Sequence, residues 1–483
     1  MEKKKSLKFN VLMNALLTMS SFIFPLITFP YVSRILLPEG TGKVNFATSF
    51  ISYFTMIAQL GIPTYGIRAC AVVRDDRRQL SKTAQELFII NLVMSALSYV
   101  VLFILLLTVP ALKDDRTLYI IVSATILLTS IGMEWLYKAL EQYAYITIRS
   151  LIFKVVAMIA MFCLIHKKED YVIYGAISIF ASCASNVLNL INVHKYIDLK
   201  PVGDYDFKRH LKAVSVFFAM TCAATIYTHI DTVMLKFMIS NEEVGYYAAA
   251  TKIKSILVSI ITSLGAVLLP RVSYYIKNNM TDEFKKITKK SLHFVLLISC
   301  PLMVYFVMYA KEGVLFLSGK EYLNSVIPMQ LIMPTIIMIG LTNILGIQIL
   351  VPLGRENCVL ISTVVGAIVD IIINFILIPT MASSGAAIGT VVAEMTVLIV
   401  QYYYLKNQVT DAFKSIKYYK IIVSLLAAVA ASFWVVKLNL STFFVLAISA
   451  IIYFTVYVIC LCLLQEPLIV DMIVQVKNKI IKR

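Results

Sequence analysis

Fourteen apolar stretches follow one another along the chain, each closed by a charged or Pro/Gly-rich segment. An apolar run of about 20 residues matches the hydrocarbon thickness of a bilayer when it is helical. Repetition of that unit leaves little else for the chain to become. Of its 483 residues, 60% are apolar and 15% charged, whereas a soluble domain has roughly half its residues apolar and a quarter charged. So much apolar surface cannot be hidden inside one molecule. The reading is an all-α integral membrane protein of about 14 transmembrane helices.

The spans used below are 1 (11–31), 2 (44–65), 5 (146–165), 6 (171–193), 7 (213–235), 8 (245–270), 11 (358–379), 12 (385–403), 13 (421–436) and 14 (441–465). The opening segment MEKKKSLK is basic, as in a signal peptide, but no small-residue cleavage site follows it, so it is read as leading an uncleaved first span. Lys and Arg sort the two sides: 31 of the 44 fall at the termini and even-numbered loops (Arg149, at the start of span 5, counted with the loop before it), 10 in the odd-numbered loops and three inside spans. By the positive-inside rule both termini are expected in the cytoplasm. The net charge of +17 then reflects topology and contact with anionic headgroups rather than nucleic acid. The loops are too short for an extramembrane catalytic domain, and no phosphate-cradling glycine motif is present, which disfavours an ATP-driven pump without a separate motor subunit. The eight cysteines have neither zinc-site nor disulfide spacing. No catalytic nucleophile, metal site or cofactor is expected.

The chain also repeats itself. Aligning Gly42 with Gly245 superposes Glu39 on Glu242 and Ala47 on Ala250, and Gly175-Ala176 aligns with Gly385-Ala386. Both matches fall at corresponding spans, which predicts two parallel six-helix lobes followed by two extra helices. The expected division is 1–200 (spans 1–6), 201–410 (spans 7–12) and 411–483 (spans 13–14 and a cytoplasmic tail).

Polar residues form stripes at helical spacing within the apolar spans. Span 1 carries Asn14, Thr18, Ser21 and Thr28, and span 2 carries Asn45, Thr48, Ser52, Thr55 and Gln59. Span 7 has Thr221, Thr225, Thr228 and Asp231, and span 8 has Lys252, Ser255, Ser259 and Thr262. Such stripes serve helix packing, the reading given to Ser178, Ser182, Ser185 and Asn189 of span 6. The equivalent placement of the other four stripes predicts a shared hydrated cavity. Charges within a span are costly and face protein or water. Lys154, Lys252, Lys254, Asp231, Glu134, Asp370 and Glu394 are such residues. Glu134 and Lys138 have ion-pair spacing on a helix. Asp231 and His229 are the proton-sensitive pair, with a structural histidine as the alternative. Arg34, Arg68, Arg149, Lys154 and Lys252 predict a cationic cavity that selects an anionic substrate, with Asn14 and Gln59 as further substrate contacts.

The stretches ITFPYVSRILLPEGTGKVNFATSFISYF (27–54), LGIPTYGIRACAVVRDDRRQLS (60–81) and IDTVMLKFMISNEEVGYYAAATKI (230–253) carry a resemblance. So do YITIRSLIFK (145–154) and NFILIPTMASSGAAIGTVVAE (374–394). The chain resembles the bacterial polysaccharide flippases of the O-antigen (Wzx) type, in the superfamily of the multidrug and toxin extrusion antiporters and the lipid II flippase. The resemblance implies a polyprenyl-pyrophosphate-linked oligosaccharide moved from the cytoplasmic to the outer leaflet by alternating access. It implies basic cavity residues, matching Arg34, Arg68, Arg149 and Lys154, and a groove for the lipid tail at spans 13 and 14. Coupling to H+ or Na+ is left open, with Asp231, Glu134 and Asp370 as the acidic candidates. Further partners would be membrane lipids, a polysaccharide polymerase and glycosyltransferases. Two other readings stay open: a multidrug or cation antiporter of the same fold, and a membrane polymerase or glycosyltransferase. O-antigen, capsule and lipid II roles are not separated by the sequence.

Overall fold

The computed structural model describes residues 7–470 apart from 279 and 439, and the side chains of these except 7, 8, 11 and 264–271. Lysines 3–5 and residues 471–483 of the C-terminal tail lie outside the described residues. Eleven helical runs are long and apolar enough to cross a membrane, or twelve with the pair Lys320–Ile332 and Thr335–Leu350, bent by 46°. Two runs, Leu12–Val72 and Glu356–Lys414, are 61 and 59 residues long, more than twice the length a single crossing needs. Each contains a break, at Leu37 (φ 61, ψ 177) and at Ala382 (φ 48, ψ −128). With the bent pair taken as one span and each of these two runs as two, the described residues hold the expected fourteen. Leu37 precedes Pro38, and a residue before proline is driven out of the helical region. The turn predicted at Pro38-Glu39-Gly40 is therefore a corner between two spans.

The chain forms two compact units, residues 1–245 and 246–483. The first holds α1 (Leu7–Gln59), α2 (Ile62–Val72), α3 (Arg77–Thr108), α4 (Arg116–Gly132) and α5 (Glu134–Ala139). It continues with α6 (Tyr143–Leu164), α7 (Tyr171–Ile179), α8 (Asn186–Asn192), α9 (Lys208–Met238) and the start of α10 (Asn241–Lys277). α9, the first span of the predicted second repeat, packs against α1 and α2.

Polar side chains inside this unit bond across helices. Asn91 donates to the Ala58 carbonyl (3.0 Å), and Ser95 bonds Ser130 (2.8 Å). The two glycines equated by the repeat meet one another: a Cβ on Gly42 would strike the Asn241 carbonyl and approach the Gly245 nitrogen, and one on Gly245 would strike the Pro38 carbonyl. The missing side chains let the two backbones touch.

The connector from α8 to α9 is fixed to α3. Gln85 donates to the carbonyls of Asp198 (2.6 Å) and Lys200 (2.9 Å) and accepts from the Tyr205 hydroxyl (2.7 Å). Glu86, fully buried, accepts from the Asp206 amide (2.7 Å), pairs with Arg209 and contacts His210 Nε2 at 2.8 Å. His210 Nδ1 in turn bonds the Tyr65 hydroxyl (2.8 Å).

The second unit holds most of α10, then α11 (Thr281–Met308), α12 (Ala310–Leu317), α13 (Val326–Ile332) and α14 (Thr335–Thr342). α15 (Glu356–Lys414), α16 (Tyr418–Ser432) and α17 (Thr442–Leu463) complete it. The final hairpin α16–α17 is tied in by tyrosines whose apolar bodies are buried and whose hydroxyls find carbonyls. Tyr305 donates to Leu446 (2.8 Å), Tyr309 to Ser432 (2.7 Å) and Tyr457 to Leu297 (3.1 Å). Just past α17, buried Glu466 lies 3.3 Å from His293 and 3.7 Å from Lys420. Across both units large apolar side chains point outward: Leu107, Phe375 and Ile451 are 69%, 69% and 68% exposed. Lipid is the solvent that such a surface requires.

Candidate functional site: a basic pair on the fifth span

α6 carries Arg149 and Lys154. Five residues apart, they point about 140° away from each other around the helix, and they meet different surroundings. Arg149 is buried. Its Nη1 donates to Ser185 Oγ (2.6 Å) and Asn186 Oδ1 (3.1 Å), and its Nη2 lies 3.3 Å from Glu134 Oε2. The other carboxylate oxygen of Glu134 takes Lys138 at 2.8 Å.

Local sequence builds this cluster. Met133, in the left-handed region (φ 41, ψ 38), ends α4 and lets α5 begin with Glu134. On the facing span a π-helical stretch, Phe180–Ala184, precedes Ser185 and Asn186. Such bulges re-register the residues that follow them. Gly132 leaves room for Asn186, whose side chain would lie 2.5 Å from a Cβ there.

Lys154 is half-buried at the middle of α6. Its ammonium donates to Ser20 Oγ (2.8 Å) and Ser21 Oγ (3.0 Å) on α1. Both hydroxyls donate onward to the Leu17 carbonyl, at 2.6 and 3.2 Å, so their oxygens are left to accept from the lysine. No carboxylate lies within 4.0 Å of this ammonium among the described residues. Two further bonds register α6 on α1: Thr147 donates to the Met13 carbonyl (2.9 Å) and Tyr31 to the Ile165 carbonyl (2.9 Å).

Beside Lys154 the two helices leave a crevice of about 270 Å³. Its α1 wall is a stripe from Leu16 to Ile27, and its α6 wall runs from Leu151 to Met158. Apart from Lys154 and Ser20 the lining is aliphatic or aromatic.

The other predicted site residues lie on several elements of the two units. Arg34 is exposed on α1, where Nη1 donates to the Pro30 carbonyl, and Arg68 is exposed on α2. Asn14 is exposed. Gln59 is buried, donating to Thr129 Oγ1 (3.3 Å) and Ser130 Oγ (3.1 Å), in the packing between α1 and α4. Asp231 is buried on α9. His229, about 200° around the same helix, has Nδ1 3.1 Å from Ser49 Oγ and its ring against Tyr53. In the second unit, Lys252 is half-buried on α10, and Asp370 and Glu394 are buried on α15. Many hydroxyls of the polar stripes bond carbonyls four residues back on their own helix: Thr18, Thr48, Ser52, Thr55, Ser255 and Thr262. Such hydroxyls need no partner across an interface.

The sequence reading missed Ser20, Asn186 and the Glu86–Arg209–His210 cluster. Ser20 lies off the stripe containing Ser21, and Glu86 meets residues more than 120 positions away. No local pattern announces either contact.

Residues 217–376 match the MatE family. The chain is 24% identical to a "Putative O-antigen transporter" of Escherichia coli, over 84% of this chain and 98% of that one. It is 20% identical to the "Capsular polysaccharide biosynthesis protein CapF" of Staphylococcus aureus, over 83% of this chain and 99% of that one. Among solved structures it shares the fold of "Lipid II flippase MurJ, inward closed conformation", with a TM-score of 0.74 and 17% identity, covering 95% of this chain and 100% of that one. It also shares the fold of a multidrug resistance MATE transporter of the MOP superfamily in an inward-facing conformation, with a TM-score of 0.65 and 13% identity over 84% and 99% of the two chains. The match to the polysaccharide biosynthesis protein family runs over residues 7–276, more than half of the chain, and this multi-pass membrane protein belongs to that family.

Proposed function

We propose that the protein carries a polyprenyl-pyrophosphate-linked oligosaccharide from the cytoplasmic to the outer leaflet of a bacterial inner membrane, both termini being cytoplasmic. The lobes that alternate access are the repeats 1–200 and 201–410, with 411–483 appended. The observation that carries the reading is Lys154: a cation half-way along a membrane span, held by two serine hydroxyls, with no carboxylate within 4.0 Å among the described residues. A lone charge there is tolerated only where it serves protein or water-filled space, and a positive one selects an anion.

A diphosphate with several sugars cannot cross hydrocarbon unaided, because each unsatisfied polar group costs several kcal/mol there. Basic groups and hydroxyls along the path replace lost water, and no bond is made or broken. Arg34, Arg68 and Lys252, with Asn14, belong to this path in the reading, whereas Gln59 is committed to the packing of α1 on α4; buried Asp231 is the first candidate for coupling to H+ or Na+, ahead of Glu134 and Asp370. The enzymes that assemble and polymerise the glycan are the partners that such a carrier serves.

The test is reconstitution in liposomes with a fluorescent lipid-linked oligosaccharide, scored by its accessibility to a membrane-impermeant glycosidase. Accessibility should rise with the protein and fall with Lys154→Ala and Lys252→Ala. Efflux of cationic dyes without oligosaccharide movement would assign the protein to drug antiport instead.

A further inference from the structure

The crevice between α1 and α6 combines two features: apolar walls and one ammonium. Leu16, Met19, Ile23 and Ile27 form one wall at helical spacing, over about 16 Å of helix axis. Val155 and Met158 face them from α6. Lys154 uses two of its three N–H bonds on Ser20 and Ser21, which leaves one donor. Charge and shape together suit an amphiphile with a phosphate head and a long apolar chain.

The depth of the ammonium distinguishes which amphiphile. Lys154 lies 11 residues into a 22-residue helix, about 16 Å from its start, which is roughly half of the hydrocarbon thickness. A resident phospholipid keeps its phosphate at the headgroup level. Lysine near a helix end reaches that level by extending outward, but this one is turned inward by the two serines. A phosphate at Lys154 therefore belongs to a lipid part-way between leaflets.

We infer that the α1–α6 crevice holds the first part of the polyprenyl chain of the transported lipid, with its diphosphate on Lys154 during crossing. The lipid's identity rests on the flippase reading above. The inference places the chain on the first unit, and not at the final hairpin to which family resemblance assigned it.

The test uses the full-length protein in nanodiscs with a photoreactive benzophenone amino acid at Met158, or at Val156 as the control. Val156 is 48% exposed on the opposite side of α6 and does not line the crevice. The probe is a radiolabelled polyprenyl diphosphate. Labelling at Met158 should exceed that at Val156, resist excess phosphatidylglycerol, and fall about tenfold with Lys154→Gln, the loss of one charge-assisted hydrogen bond. Lys154→Arg should restore it. Equal labelling at both positions, displacement by phosphatidylglycerol, or indifference to Lys154→Gln would each overturn the inference; displacement would mark a resident phospholipid. Flipping by the unlabelled protein is measured in parallel. Flipping without Met158 labelling removes the crevice alone, whereas Met158 labelling without flipping keeps the crevice and removes the flippase reading.

Discussion

Arg149 and Lys154 lie about 1.4 turns apart on the same helix, and replacing each by methionine should give opposite results. Arg149 donates to three partners. Loss of its bonds to Ser185 and Asn186, both buried, removes two charge-assisted hydrogen bonds, worth about 1.5–3 kcal/mol each at most. Loss of Glu134 counts for less, because that carboxylate is a third exposed and keeps Lys138. Methionine fills part of the volume. The expected destabilisation is therefore about 3 kcal/mol, at the low end for a broken buried pair. Lys154 differs: its two serines remain bonded to the Leu17 carbonyl without it, and methionine suits the apolar crevice. Its stability change should stay within about 1 kcal/mol. The assay pairs the thermal midpoint in detergent with oligosaccharide movement in liposomes. Arg149→Met should lower the midpoint, while Lys154→Met should leave it in place and abolish movement. An unchanged midpoint for Arg149→Met, or full movement with Lys154→Met, refutes the division of structural and binding roles.

Glu86→Ala should destabilise by about 2–3 kcal/mol, because it takes the acceptor from His210 and the Asp206 amide, while Arg209 is part-exposed and can turn to water and Thr83; faster tryptic cleavage of the 195–209 connector would register it. Gly42→Val should lower the thermal midpoint by an overpacking penalty of about 1–3 kcal/mol, since the obstructing group is backbone at Asn241 and cannot rotate away. Asp231→Asn should remove the dependence of transport on a proton or sodium gradient while leaving folding intact, read in liposomes with and without the imposed gradient; retained dependence would pass the role to Glu134 or Asp370.

Much of the architecture was legible because the bilayer reduces folding to a one-dimensional problem. Apolar run length fixed the helices, and the two longest helical runs resolve into the expected pairs at Leu37 and Ala382. Leu37 is announced by Pro38. Ala382 lies in the 380–384 gap predicted between spans 11 and 12, but no proline follows it to single it out. The polar stripes were visible too, but many hydroxyls bond their own helix, an outcome that spacing alone cannot distinguish from a cavity lining. The match of Gly42 with Gly245 was read as a repeat signal, and the structure adds that the two positions touch.

The sequence by itself determined the solvent, the secondary structure, the family and the presence of cations inside the spans. Each follows from composition or local pattern, which a one-dimensional string retains. Only the tertiary structure decided what surrounds those cations. Arg149 and Lys154 read alike as basic residues in one apolar segment, but one meets Glu134, Ser185 and Asn186 and the other meets Ser20, Ser21 and an apolar crevice. A charge's role depends on what lies within a few ångströms of it, and for Lys154 those neighbours come from more than 130 residues away.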